Sequence, residues 1–134
     1  MKKTRVPEKL KKLIREAAQD YRTKLHADAY DLKVEYMEDD LPPTDSGGDV
    51  AMDIRINRRY LMATVHVYPW YISKWEKKHY SDNEIKEAVA HEIAHLATQH
   101  FFDVAVATYR DEGEMKDAWE TCTTVIGRLL HRLP

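Results

Sequence analysis

At 134 residues and 15.7 kDa the chain can bury one core without disulfide staples and is short for two ordinary domains. Its 21 basic and 23 acidic residues leave a formal net charge of -2, which excludes the positive excess expected of a nucleic-acid binder. A lone cysteine, Cys122, rules out an intramolecular disulfide and a cysteine-rich metal site, and suits a reducing compartment.

The basic run from Lys2 to Lys12 reads as the solvated face of a helix rather than a phosphate-binding arm. The opening Met-Lys-Lys-Thr-Arg has no apolar stretch of the signal-peptide kind, and no segment is long and apolar enough to span a bilayer. A cytoplasmic location, with no membrane and no nucleic-acid partner, is therefore expected. Pro7 suits a helix first turn, and Leu10, Leu13, Ile14, Ala17, Ala18, Tyr21 and Leu25 follow at helical spacing. They predict an amphipathic helix of about five turns.

Leu32 to Met37 alternates apolar and polar residues, as a half-buried strand does. Glu38 to Asp49, with two prolines and two glycines, reads as a loop. Val50 to Ile56 alternates again, Asn57-Arg58-Arg59 suits a turn, and Tyr60 to Tyr68 predicts a third strand hairpinned to the second. Its apolar face is expected to carry Leu61, Ala63, Val65 and Val67. A short helix is predicted from Trp70 to Lys78. Trp70, Tyr71 and Trp75 are expected to cover the sheet, and His66 to be exposed on a polar strand face.

Ser81 or Asp82 caps the next helix, with Glu84 placed as in a capping box. Ile85, Ala88, Val89, Ile93, Leu96 and Ala97 carry it to about His100. After the charged stretch Arg110 to Lys116, a last helix has Ala118, Cys122, Val125, Ile126, Leu129, Leu130 and Leu133 as its apolar residues, with Cys122 expected in the core. The order is a helix, three strands, then helices. It predicts a single α+β domain over 1–134, with a small, mostly antiparallel three-stranded sheet.

The third predicted helix carries the chemistry. His91-Glu92-Ile93-Ala94-His95 places two imidazoles four residues apart, so both lie on one helical face and can reach one metal ion. Such a pair binds zinc, and the glutamate between them can take a proton from water beside the metal. A chain with this many His and Glu contains about 0.03 such pentapeptides by chance, and here the motif lies within a capped helix. Ile93, Leu96 and Ala97 extend an apolar face beside the pair, which argues against two merely solvent-exposed histidines.

A catalytic zinc wants a third protein ligand. His100, five residues past His95, falls well off the shared face of a continuing helix and suits a helix end instead. Glu120 follows His95 after 24 residues, enough for an antiparallel helix to return past the metal, and it shares a side with Thr123, Thr124 and Gly127. Those small residues would let two helices approach closely. Glu112 and Glu114 remain the alternatives on these grounds.

At these residues the chain resembles the gluzincin group of HExxH zinc metallopeptidases, in which a following helix adds a glutamate ligand. Its overall arrangement is similar to the minimal, zincin-like metallopeptidase proteins of phages and prophages. Over its last third it is similar to the metallopeptidases of mobile elements that cleave immunity repressors. In those, small residues follow the glutamate at the third and seventh positions, where Thr123 and Gly127 stand here, followed by Leu130. The resemblance implies His91, His95 and Glu120 as zinc ligands and Glu92 as catalytic base. It also implies an edge strand that pairs with an extended peptide, expected here at Tyr60 to Tyr68. There are departures: Thr124 stands where larger gluzincins often have Asp, and no helix-turn-helix accompanies the domain.

The expected function is therefore hydrolysis of a peptide or protein substrate by a Glu base and a zinc-activated water. The competing expectation is a metal-stabilised, non-catalytic binding or regulatory module, for which a carboxylate beside the metal has no use. A third is a latent peptidase whose opening helix or Glu38–Asp49 loop covers the cleft. Tyr109 is a further residue that could stabilise an oxyanion.

Overall fold

The computed structural model describes residues 5–43, 48–108 and 112–134, apart from the side chains at 100, 101, 104–108 and 112. Four helices and three strands follow one another: α1 (Glu8–Lys24), β1 (Asp31–Tyr36), β2 (Met52–Asn57), β3 (Met62–Val67), α2 (Pro69–Glu76), α3 (Asp82–Thr108) and α4 (Glu112–Arg132). The fold is a small α+β arrangement, as the element pattern predicts.

The sheet differs from expectation in two respects. Its order is β1-β3-β2, with β3 antiparallel to β2 but parallel to β1, so it is mixed rather than mostly antiparallel. β3 is consequently the central strand. Its backbone groups are shared with neighbours on both sides, and it cannot serve as the peptide-pairing edge assigned to Tyr60–Tyr68. The edges are β1 and β2. The strand is also shorter than predicted, because Tyr60 and Leu61 belong to the hairpin turn, where Leu61 adopts φ 51 and lies exposed.

Pleating sorts the side chains. Register aligns Leu32, Ala63 and Ile56, then Val34, Val65 and Ile54, then Tyr36, Val67 and Met52, giving one apolar face across all three strands. Against that layer sit Leu10, Ile14, Ala17, Ala18 and Tyr21 of α1, at helical spacing, and Ile85, Val89, Ile93 and Leu96 of α3. The side chains of Ile14, Val65, Val67, Ile85, Val89 and Ile93 have no exposed surface, so this is the core.

Ser81 caps α3 as expected, its Oγ accepting from the Glu84 backbone N–H at 3.2 Å. The helix continues past His100 to Thr108, and the charged residues from Glu112 to Lys116 form the first turns of α4 rather than a loop. α4 returns antiparallel along α3 and buries Thr123, Gly127 and Leu130. Its far end is tied to α1 by Tyr21 Oη with His131 Nδ1 at 2.6 Å and by Lys24 Nζ donating to the Leu133 carbonyl at 3.0 Å. Val125, Leu129 and Leu133 point outward, and Cys122 is exposed rather than in the core. The prediction failed there because α4 has two apolar faces, and only one of them meets α3.

Candidate metal centre

The α3–α4 contact builds the site. Gly127 sits so near α3 that a Cβ there would lie 2.9 Å from His91 Cα, 3.1 Å from its backbone N and 3.3 Å from the Ala90 carbonyl carbon. Only glycine permits that approach. Seven residues earlier, on the same side of α4, Glu120 arrives opposite the two histidines.

The Nε2 atom of His91 lies 3.4 Å from Glu120 Oε2, and Nε2 of His95 lies 3.7 Å from Glu120 Oε1. One ligand atom from each of the three residues falls within 4.8 Å of the others. Two imidazoles and a carboxylate at these distances could hold a metal ion; zinc bonds of about 2.0–2.1 Å at tetrahedral angles would draw the three donors to about 3.3–3.4 Å apart. The rings of His91 and His95 meet edge to face at 5.0 Å, leaving their Nε2 corners turned to the same side.

Each ring is held by its other nitrogen. Thr124 Oγ1 lies 3.4 Å from His91 Nδ1, and Thr123 Oγ1 lies 3.4 Å from His95 Nδ1. The Thr123 hydroxyl, fully buried, is 2.8 Å from Thr98 Oγ1, which also accepts from Trp119 Nε1 at 2.9 Å. Either threonine hydroxyl can donate to the other, and Thr123 Oγ1 can accept from His95 when the ring carries its proton on Nδ1. That tautomer leaves the Nε2 lone pair free, as a metal needs. The Trp119 ring also lies 4.6 Å from His95 and stacks on Phe102 at 4.1 Å.

Burial and charge act on the same residues. His95 is buried and held low, at about 4, mainly by burial and despite Glu120 beside it, so it is neutral near pH 7. Hydrogen bonding to His91 and then the charge of His95 hold Glu120 below the usual carboxylate range, against some burial. Glu92 is pushed well above it, first by burial and then by the charges of Glu120 and Asp53. Two carboxylates of opposite tendency thus share the site, the half-buried Glu120 favouring its charge and the buried Glu92 favouring its proton.

The other sequence candidates lie elsewhere. Glu114 is exposed on the first turn of α4 and outside the ligand group. The side chains of His100 and Glu112 and the whole of Tyr109 lie outside the described residues. His66 is not simply exposed: the register sets it between Asp53 and Glu35, and its Nδ1 lies 2.9 Å from Asp53 Oδ1. Tyr68 donates to the second Asp53 oxygen at 3.0 Å, making a polar cluster on the sheet face away from the core. Trp70 Nε1 donates to the Val50 carbonyl at 2.8 Å, and Tyr71 is buried.

A cavity of about 290 Å³ opens beside His91, lined by Tyr71, Tyr80, Glu84, Glu87, Thr124 and Arg128 among others. Neither α1 nor any described residue of the Glu38–Asp49 loop lines it. Glu38, Asp39 and Asp40 instead line a separate cavity with Arg55, His66 and Tyr68. The roles of Thr98 and Trp119 were not anticipated, since neither residue stands at a motif spacing from His95. Among the described residues, no helix is long and apolar enough to cross a membrane. The chain matches no family model, no curated protein and no solved structure.

Proposed function

We propose that the protein is a zinc-dependent metallopeptidase in which His91, His95 and Glu120 hold the metal and Glu92 is the general base. One observation carries the reading: three donor groups of the zinc type converge within 4.8 Å beside a buried carboxylate from the same helix. When bound, zinc polarises a carbonyl and lowers the pKa of water at the site towards about 7. Glu92 would accept a proton from that water as the water oxygen bonds to the scissile carbonyl carbon, and would pass it to the departing amine as the C–N bond breaks. Thr123 and Thr124 keep both imidazoles turned to the metal. An extended peptide would pair with β2, the sheet edge packed against α3, whose Asp53 already acts electrostatically on Glu92.

The test is a zinc-loaded protein assayed on fluorescein-labelled casein and on quenched fluorescent peptides, with Glu92→Gln alongside. Wild type should bind one equivalent of zinc and cleave, and the variant should bind zinc and not cleave, because an amide cannot accept the proton. Cleavage by Glu92→Gln at the wild-type rate would remove Glu92 as the base. A metal content well below one equivalent with both histidines intact would remove the zinc site. A non-catalytic metal module, the competing reading, would bind zinc yet leave every peptide intact.

A further inference from the structure

We propose that the outward face of α4 is a homodimer interface, in which α4 packs antiparallel against α4 of a second copy of this chain. Met115, Ala118, Cys122, Val125 and Leu129 recur at alternating spacings of three and four residues, the apolar seam of a coiled coil. The opposite side of the helix, with Glu120, Thr123, Gly127 and Leu130, is the one committed to α3. The seam remains in solvent: Val125 is 53% exposed and Leu129 60%, and Leu133 continues the row at 49%. Three large aliphatic side chains so exposed along one ridge mark a surface that is covered in use.

Two complementarities identify the occupant as a second copy, and its direction as antiparallel. The first is size. An apolar groove of about 460 Å³ runs beside the N-terminal half of the seam, lined by Ala97, Phe102, Met115, Ala118, Cys122 and Ile126 among others. The C-terminal half carries the protruding Leu129 and Leu133. A two-fold axis between Cys122 and Val125 sets Leu129 of one copy opposite Ala118 of the other, so each ridge enters the other's groove.

The second is charge. Beside the seam the first turn of α4 carries Glu114 and the last carries Arg132, while Arg128 faces Glu87 of its own α3 at 3.8 Å. Antiparallel pairing lays acidic turns beside basic ones. Parallel pairing in register would instead set Arg132 beside Arg132 and Ala118 against Ala118, losing both gains. Glu120 points away from the seam, so the metal centre stays accessible in the dimer. This interface is independent of what the metal centre does.

The test is the solution mass of the full chain by light scattering at about 200 μM, where a Kd in the micromolar range leaves mostly dimer. Wild type should run near twice 15.7 kDa, and Leu129→Glu should return to 15.7 kDa while keeping a helical circular dichroism spectrum and a cooperative urea transition, which show that it is folded. Arg132→Glu should also dissociate, and adding Glu114→Arg should restore the dimer. For direction, a Cys122→Ser background carrying Ala118→Cys or Leu129→Cys is treated with a short bis-maleimide. The mixture of the two should cross-link into a mixed dimer, and neither alone should. A wild-type monomer at this concentration, a Leu129→Glu dimer, or cross-linking of Ala118→Cys to itself would each overturn the proposal.

Discussion

Gly127→Ala adds one methyl group, and the structure says where it goes. The new Cβ would meet His91 Cα at 2.9 Å, against 3.4 Å or more for an ordinary contact, so α4 and α3 must separate by about 0.5 Å. The obstructing atoms are backbone, which cannot rotate aside. Overpacking of this kind costs about 1–3 kcal/mol. Alanine gains about 1 kcal/mol over glycine in a helix interior, so the net loss of stability is about 0–2 kcal/mol. The effect on metal should be larger. Glu120 rides on the same helix, and a metal site tolerates displacements of only about 0.2 Å in its ligand distances. Zinc affinity, read by competition with a chromogenic chelator, should fall at least tenfold, and the urea midpoint of the metal-free protein should fall modestly. Gly113→Ala, on the exposed first turn of α4, supplies the propensity gain without the clash and should leave zinc affinity unchanged. Gly127→Ala with wild-type affinity and raised stability would refute the reasoning, because the close approach would then not hold the ligands in place.

Three further outcomes are expected. Glu120→Ala should weaken zinc binding at least tenfold, about 1.4 kcal/mol, while Glu114→Ala leaves it unchanged, and equal affinity in the two would return the third position to another residue. Thr123→Val, nearly isosteric, should cost about tenfold in zinc affinity and shift His95 from the Nδ1–H tautomer in 15N spectra of the metal-free protein; Thr123→Ser should restore both, and a valine variant indistinguishable from wild type would leave the hydroxyl without a role. Glu92→Gln should stabilise the metal-free protein at pH 8 but not at pH 4. The folded state holds the Glu92 proton more tightly than the unfolded chain, so Glu92 by itself lowers stability as pH rises above about 4.5, and that contribution disappears with the amide. A urea midpoint for the variant that tracks wild type across this range would contradict the raised proton affinity.

Most of the elements were legible from periodicity, because burial of one face imposes a period of 3.6 on α1 and α3 and of 2 on the strands. The metal-ligand pair was legible for the same reason: His91 and His95 need only one helix to share a face. The small residues of α4 beside Glu120 also announced a close helix contact, since close packing requires small side chains wherever the partner comes from. What one helix or one strand cannot encode was decided by tertiary structure. Strand order is such a case, because β3 has the same alternation whether it is central or at an edge, and only the placement of β1 beside it closed its second side. α4 is another. Both of its sides carry apolar residues, so nothing local says that Thr123 and Gly127 go inward while Cys122, Val125 and Leu129 stay in solvent. The meeting of Glu120 with the histidines depends on a contact between residues 29 and 25 positions apart, fixed by how closely Gly127 lets two backbones approach. The Thr98–Thr123–Trp119 chain behind His95 has the same origin: its donors and acceptors come from two helices and acquire their order only once those helices are packed.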